Sequence, residues 1–413
     1  MLKAGILSNL SVKNTFASLK YPNYRLWFGG QLVSLVGTWM QSAAQGFLIY
    51  QLTGSPAYLG YVGFAAGLPT WIFTLYAGVV ADRIPRRTMM VVTQTMMMLL
   101  ALILAALTFS GLVQPWHIIV LAFFLGIANA FDAPARQSFI LEMVDRQDLS
   151  NAIALNATMF TSAIVIGPAV GGLAYAAFGP AWCFAINSVS YLAVILALLL
   201  MKLKPWTQPE RKSQVLDDLK TGLKYVASSK IVLMLILNLG VLSFFGMGTM
   251  TLVPAWSVEI LGGDAATNGW MLSARGLGSL LGALLIASLG RAAFRGRLLT
   301  LGTFLLPTFL FVFTFVRWLP LALILLVGIG FAFIAINNSS NALVQLQVRD
   351  ELRGRVMGVY IMIFFGAMPL GSLYAGTVAS WLNEPATVLL SSLILICFAG
   401  LVYWRFPQMR KLG

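Results

Sequence analysis

Two charged side chains, Asp132 and Arg275, lie within stretches of sequence that are otherwise apolar. A charged group inside a membrane costs free energy unless it is paired or faces water, so each one marks a candidate functional position. A carboxylate such as Asp132 can carry a proton, and a guanidinium such as Arg275 can bind an anionic group. Glu259, in a predicted outer loop, is the second candidate for proton coupling.

A structural interpretation stays open for both charges. Arg136 lies four residues after Asp132 and therefore on the same helix face, so the two can form an ion pair. Arg275 is about eight residues, or roughly 12 Å, from the outer end of its span. It can pair with Glu259 or extend to the outer surface.

A set of amide and hydroxyl side chains also interrupts apolar spans. We expect them, together with Arg275, to line a substrate cavity, although interhelical hydrogen bonds worth roughly 1 kcal/mol each would explain them equally well. The set comprises Gln41, Gln45, Thr158, Asn238, Asn337, Asn338 and Asn341.

The composition of the chain indicates the kind of structure that holds these polar and charged side chains in place. Of 413 residues, 59% are hydrophobic and 10% are charged, and the mean hydropathy is +0.86. These values exclude an ordinary soluble domain. About twelve uncharged runs of roughly 20 residues predict an all-α, polytopic membrane protein with 12 transmembrane helices.

The longest polar segment predicts where the chain divides. We expect an N-terminal six-helix bundle over residues 1–201, a cytoplasmic linker over 202–230 and a C-terminal six-helix bundle over 231–413. A weak internal repeat agrees with this division, since Gly60 pairs with Gly269 and Gly67 with Gly276 at an offset of 209 residues. Such a parallel repeat places a transport site at the interface between repeats.

The distribution of charge predicts the orientation. The net charge is +14, and of the 27 Lys and Arg residues all but Arg275 and Arg317 fall in the termini or in loops on one side. The positive-inside rule therefore places both termini and the linker in the cytoplasm. Because the charge follows alternate loops, it indicates membrane topology and no nucleic-acid partner.

One charged loop carries a specific motif between the second and third spans. It resembles the cytoplasmic loop signature of the major facilitator superfamily, Gly-x-x-x-Asp-Arg-x-Gly-Arg-Arg, except that Pro85 stands where the family has glycine. The resemblance implies the fold of that superfamily and transport by alternating access. The matching residues are Gly78, Asp82, Arg83, Arg86 and Arg87.

The fifth span carries a second motif, which is similar to the Gly-Pro-x-x-Gly-Gly signature of proton-driven drug exporters. Its residues are Gly167, Pro168, Gly171 and Gly172. Glycines allow helices to approach closely, and proline removes a backbone donor, so this segment can bend. The segments 130–137 and 352–356 resemble the superfamily branch that includes macrolide and siderophore exporters.

The family resemblance also suggests a gating network. In such transporters the loop arginine reaches an acidic residue of the fourth helix. By that resemblance Asp82, Arg86 and Asp132, with Arg136 nearby, would form a latch that holds the cytoplasmic side shut in one state of the cycle.

The sequence thus predicts an exporter of drugs or small amphipathic metabolites in the bacterial inner membrane, driven by proton antiport. Alternatives are a dedicated siderophore or metabolite exporter, a facilitator without proton coupling, and a lipid-moving or sensor protein. We expect a small-molecule substrate, protons and membrane lipids as partners, and a monomer. We expect no enzyme activity, cofactor or metal, because His-Glu-x-x-His, Gly-x-Ser-x-Gly and nucleotide-binding motifs do not occur.

Overall fold

The computed structural model describes residues 16–81, 83–203, 215–288 and 294–412. The first half of the chain forms six long helices. They are α1 (Pro22–Thr53), α2 (Pro56–Ala81), α3 (Arg86–Phe109), α4 (Pro115–Phe139), α5 (Leu149–Phe178) and α6 (Pro180–Leu200).

The second half forms six more. They are α7 (Lys230–Ile260), α8 (Ala265–Ser288), α9 (Arg295–Thr314), α10 (Leu319–Gln347), α11 (Asp350–Leu382) and α12 (Glu384–Arg405). Eleven of the twelve are long and apolar enough to cross a membrane when only the described residues are considered. The other is α2, whose 26 residues include no charged side chain. The prediction of an all-α protein with twelve membrane helices is confirmed.

Tight turns connect the helices at one end of the molecule. Left-handed glycines follow α1, α3, α5 and α7, at Gly54, Gly111, Gly179 and Gly262, where a side chain would be strained. A proline occupies one of the first two positions of α2, α4, α6, α10 and α12, where its missing N–H costs no hydrogen bond. We call this end the neutral end. The turns after α2, α4, α6, α8 and α10 lie at the opposite, basic end.

Helix α6 illustrates how each helix divides its surface. Tyr191, Val194 and Leu198 are buried against neighbouring helices, whereas Val189 and Leu196 are more than half exposed. Both faces are apolar, so the exposed one suits lipid.

The six helices of each half pack on one another. In the first half α1 lies against α5 and α6, and α3 lies against α4 and α6. In the second half α10 contacts α8 and α9, and the rings of Trp256 and Phe313 stack with centroids 4.5 Å apart. The halves meet along two interfaces, α2 with α11 and α5 with α8. This is the arrangement of two six-helix bundles that the sequence predicted.

Helix α7 departs from the regular span that hydropathy predicts. It is α-helical over Lys230–Val241, widens to a π-helix over Leu242–Met247, tightens to a 3-10 helix over Gly248–Leu252, and widens again over Trp256–Ile260. Pro254 lacks the N–H that a regular helix needs, which accounts for part of this irregularity. Irregular segments of this kind mark places where a helix can change shape.

The polar segment between the halves contains a further helix, Val215–Ser228, here called the linker helix. Asp218 forms a 2.7 Å ion pair with Arg355 of α11, and the Tyr225 hydroxyl donates to the carbonyl of Gln347 at 3.5 Å. The linker helix is therefore attached to the basic end of the second half.

Candidate functional site

Three hydrogen bonds join the two halves within the described residues, and all three lie towards the neutral end. The Tyr50 hydroxyl donates to Glu259 at 2.9 Å. Thr251 donates to the carbonyl of Leu59 at 3.3 Å, and Asn268 donates to the carbonyl of Ala43 at 3.4 Å. Glu259, a predicted proton-coupling residue, thus takes part in closing this end of the molecule.

Glycines bring the helices of the two halves into backbone contact at the same end. On α5, Gly172 lies against Gly269 of α8, and neither position has room for a Cβ atom. The carbonyl of Pro168 also lies against Gly269. Gly167 and Gly171 face α1 instead, where they meet the backbone of Met40. The motif in α5 therefore packs on two helices at once, one in each half.

Direct contacts between the halves also occur at mid-depth. The indole of Trp71 on α2 lies against Gly366 of α11, and the carbonyl of Ile164 on α5 lies against Gly276 of α8. From Ile164 to the basic end, α5 continues for 15 residues, or roughly 22 Å. We call the region between the halves on the basic side of these contacts the central gap.

A polar cluster surrounds Asp132 inside the first half. Asp132 is 3% exposed and accepts hydrogen bonds from Thr93 and Gln94 of α3, each at 3.0 Å. Its other oxygen lies 3.5 Å from Nε of Arg136. The carboxylate is therefore satisfied mainly by α3, and the predicted Asp132–Arg136 proximity is present.

Arg136 connects this cluster to two aromatic side chains of the first half. Its guanidinium lies 5.9 Å from the ring of Phe160 on α5, and that ring makes an edge contact with Trp39 of α1. Phe160 is seven residues before Gly167, which also faces α1, so the two residues share a helix face. Arg136 is therefore a half-buried cation beside the aromatic pair of Phe160 and Trp39.

Arg275 is at the middle of α8, next to the contact between Gly276 and Ile164. Its Nε is enclosed and has no hydrogen-bond partner, while the side chain as a whole is only half-buried. None of the ion pairs found in the described residues includes Arg275. The alternative of a pair with Glu259 is not what the structure shows, since Glu259 accepts from Tyr50.

The asparagines of α10 occupy the basic half of that helix. Asn337 accepts from the hydroxyl of Tyr360 at 3.1 Å, and Asn341 accepts from Gln345 at 2.6 Å. Asn338 is half-buried. Asn337 and Asn341 are seven and eleven residues after Gly330, which contacts α8, so they share its face. They remain candidates for lining the gap.

The other polar residues of the predicted cavity set are placed differently. Gln41 is buried and accepts from Asn187 of α6 at 2.7 Å, and Gln45 is buried on the same helix. Asn238 is fully enclosed and donates to Thr303 of α9 at 3.1 Å. Thr158 is exposed and donates to the carbonyl of Ala154 in its own helix. Gln41 and Asn238 thus join helices within one half and do not line the gap in this conformation.

The charged loop after α2 binds the ends of neighbouring helices. Arg86 pairs with Glu142 at 2.7 Å, just beyond α4, rather than with Asp132. Arg87 donates to the carbonyl of Leu199 at 2.7 Å and so caps the end of α6. Gly78 has open space where a Cβ would lie, and Arg83 is exposed. Asp82, the acid of the predicted latch, lies outside the described residues.

The sequence reasoning missed the partners that come from other helices. Glu142, Thr93 and Gln94 are polar residues in or beside helical segments, and nothing local marks them as neighbours of Arg86 or Asp132. Tyr374, whose ring lies against those of Phe244 and Phe245, was missed for the same reason. Only the polar character of Thr93 and Gln94 on an apolar helix could have suggested a role.

Asp264 caps the start of α8 at the neutral end. Its carboxylate accepts from the backbone N–H of Thr267 at 2.9 Å and from the Thr267 hydroxyl at 3.1 Å. These hydrogen bonds, the backbone one above all, hold the pKa of the carboxyl below its usual value. The cap fixes the end of the helix that carries Gly269 and Arg275.

Comparisons with known proteins agree with this architecture. The model of the transmembrane secretion effector family matches residues 13–412. The multidrug efflux pump Tap of Mycolicibacterium fortuitum is 29% identical over 89% of this chain and 91% of that protein. The macrolide efflux protein A of Streptococcus pyogenes is 24% identical over 95% and 99%, and the staphyloferrin A transporter of Staphylococcus aureus is 22% identical over 92% and 95%.

Solved structures show the same fold. A bacterial homologue of the human lysosomal transporter Spinster, in an inward-facing and unoccupied conformation, superimposes with a TM-score of 0.71 at 12% identity, covering 98% of this chain and 99% of that one. The nucleoside transporter NupG gives a TM-score of 0.68 at 15% identity, with 96% and 100% coverage. The chain is therefore a transporter, not an enzyme, and belongs to the transmembrane secretion effector family of the major facilitator superfamily.

Proposed function

We propose that this protein exports drugs or small amphipathic metabolites from the bacterial cytoplasm by alternating access, in exchange for protons. The observation that carries the proposal is the position of the contacts between the halves. The hydrogen bonds between the halves lie towards the neutral end, and the close glycine contacts occur there and at mid-depth, at Trp71 with Gly366 and Ile164 with Gly276. The sequence similarity to named efflux proteins supports the direction of transport.

The orientation of the proposed cycle rests on the distribution of charge. If the basic end faces the cytoplasm, as the positive-inside rule predicts, the central gap opens inward and the neutral end is the closed outer gate. Both termini are then cytoplasmic. Substrate enters the gap from the cytoplasm or the inner leaflet, and the halves rock about the site to release it outside. The protein works as a monomer, and its exposed apolar faces contact lipid.

The moving parts in this proposal are residues 1–201 and 231–413, joined by the linker at 202–230. In the glycine motif of α5, Pro168 and Gly172 form the outer gate together with α8, while Gly167 and Gly171 hold α5 against α1. The ion pair of Arg86 with Glu142 holds the basic ends of α3 and α4 together. Arg86 belongs to the charged motif between α2 and α3, which also includes Gly78, Asp82, Arg83 and Arg87. The ion pair keeps the first half rigid while it rocks.

Asp132 is the residue that we propose to couple protons. Its carboxylate holds Arg136, and Arg136 lies beside Phe160 of α5. Protonation removes the negative charge, which weakens the attraction between the two side chains and frees Arg136 to move. Glu259 would sense protons at the outer gate, where losing its charge weakens the hydrogen bond from Tyr50.

Transport in inside-out vesicles with an imposed pH gradient tests the proposal. Macrolides, lipophilic cations and amphiphilic acids are added in turn, and accumulation and collapse of the pH gradient are recorded. Uptake of at least one compound with proton release is expected. Asp217→Asn, which removes an exposed acid on the linker helix, is the control and should transport as wild type does. If the pH gradient has no influence on uptake, the protein is a facilitator without proton coupling. If folded protein takes up none of the compounds, the proposal of export is contradicted.

A further inference from the structure

Arg275 occupies a fixed place at mid-depth. It is ten residues from the start of α8, or roughly 15 Å along the helix. The backbone around it is tied to α10, because the Ser279 hydroxyl lies 3.3 Å from the carbonyl of Arg275 and 3.2 Å from the carbonyl of Gly330. The contact of Gly276 with Ile164 fixes the other side of the helix. The backbone that carries Arg275 is therefore held on both sides at mid-depth.

Among the described residues, the guanidinium has no partner that would explain its presence. Its Nε is enclosed without an acceptor, and the described residues supply no carboxylate to it. Arg136, in the last turn of α4, has both Asp132 and the ring of Phe160. Arg317, near the neutral end, donates to two backbone carbonyls and lies over Trp256. Arg275 alone of these three lacks such compensation.

The acids that could neutralise Arg275 are engaged elsewhere. Asp132 is held by Thr93, Gln94 and Arg136 within the first half. Glu259 accepts from Tyr50 at the neutral end. Neither acid neutralises Arg275, and a low-dielectric surrounding makes an unpaired cation costly. A ligand that brings its own negative charge removes that cost.

We propose that Arg275 is an anion-binding site, and that the exported solutes carry a carboxylate or comparable anionic group on an amphipathic body. The planar guanidinium matches a carboxylate or a phosphate with two parallel hydrogen bonds. Phe160 and Trp39 form an aromatic pair on α5 and α1, and α5 is the helix of the first half that packs on α8. This inference rests on the proposed export function and names its substrate class.

Binding to purified protein in nanodiscs of phosphatidylcholine tests the assignment. The probes are dansylaminoundecanoic acid and its methyl ester, which share the same body but differ at the head group by the negative charge and one methyl group. Wild type should bind the acid at least about tenfold more tightly than the ester, since one charge-assisted contact is lost in the ester. Arg275→Gln should bind both probes equally, and Arg275→Lys should keep part of the preference. Arg405→Gln, an exposed arginine at the end of α12, is the matched control.

Thermal unfolding with and without the probes guards against misfolded variants. Arg275→Gln loses no ion pair, so its unfolding temperature without ligand should equal or exceed that of wild type. The acid should raise this temperature in wild type only. Equal affinity of wild type for acid and ester, no binding of the acid, or a preserved preference in Arg275→Gln would overturn the assignment.

Two further experiments are needed. One distinguishes a lipid phosphate from a solute as the source of the anion, and the other distinguishes failure of the anion site from failure of the proposed export function. If phosphatidylglycerol in the nanodisc weakens acid binding to wild type but not to Arg275→Gln, the site also accepts a lipid phosphate; if it does not, the site selects solutes. In vesicles, export of other compounds without acid preference would refute the anion site and leave export intact. No export of any compound would refute the proposed function, while the binding data would still decide the role of Arg275.

Discussion

The hydroxyl of Tyr50 on α1 donates a 2.9 Å hydrogen bond to Oε1 of Glu259 on α7, across the boundary between the two halves. The acceptor is a carboxylate, so the bond is stronger than a neutral one. The two residues lie where the outer gate is closed in the proposed cycle. Their bond stabilises the conformation in which the central gap opens at the basic end.

Tyr50→Phe should therefore favour opening of the neutral end. Loss of a hydrogen bond to a charged group costs roughly 1.5–3 kcal/mol, which would raise the population of the opposite conformation at least severalfold. The measurement is labelling of Asn338→Cys by an impermeant maleimide applied from the neutral-end side, in a background without Cys183 and Cys397. Tyr61→Phe is the control, and an unchanged labelling rate in Tyr50→Phe would contradict the role of this bond.

Gly172→Ala should block closure of the outer gate. A Cβ at this position would overlap the backbone of α8 around Gly269, and overpacking of that kind costs about 1–3 kcal/mol. We expect export to fall at least tenfold in protein that still folds. Gly400→Ala, on the peripheral helix α12 with open space at its Cβ position, should transport normally. Normal export by Gly172→Ala would show that the close approach is not needed.

The fold could be predicted from the sequence because the length of each apolar segment can be read directly from consecutive residues. Every predicted span corresponds to a helix in the structure, and the repeat partners Gly60 and Gly269 make equivalent contacts, with Gly376 and Gly172. The irregularity of α7 could not be predicted, since the π segment Leu242–Met247 contains no proline and reads as an ordinary apolar helix.

The candidate site could be predicted only where both partners lie on one helix. Asp132 and Arg136 are four residues apart, so helix geometry alone brings them together. The pairing of Arg86 with Glu142 depends on how α3 and α4 pack, which a single sequence does not encode locally. Gln41 is a further case, because its polar side chain suggests a contact with another helix but does not tell which helix supplies the partner. In the structure that partner is Asn187 of α6.

Single substitutions of Arg86 or Glu142 should slow export, and exchanging the two charges should restore part of the rate. Both side chains are largely buried, at 20% and 25% exposed, so we expect a coupling free energy of about 1 kcal/mol in a double-mutant cycle. The cycle comprises Arg86→Gln, Glu142→Gln, the double variant and the charge exchange Arg86→Glu with Glu142→Arg. Arg146→Gln, an exposed loop arginine, is the control. Additive effects in the cycle would refute the coupling.

Asp132→Asn should separate proton coupling from substrate movement. The amide oxygen can still accept from Thr93 and Gln94, so the contact between α3 and α4 should persist and the protein should fold. The charge is lost, so substrate-dependent collapse of the pH gradient should disappear. Exchange of labelled for unlabelled substrate should continue. A wild-type ratio of protons to substrate in this variant would return Asp132 to a purely structural role.

The measurement that tests alternating access most directly is a pair of spin-label distances recorded in the same protein. One pair, Ser150→Cys with Ser288→Cys, reports the basic ends of α5 and α8; the other, Phe178→Cys with Leu382→Cys, reports the neutral ends of α5 and α11. Under substrate and a pH gradient, the basic-end distance should shorten as the neutral-end distance lengthens. Two distances that stay constant, or change in the same direction, while transport continues would contradict the proposed cycle.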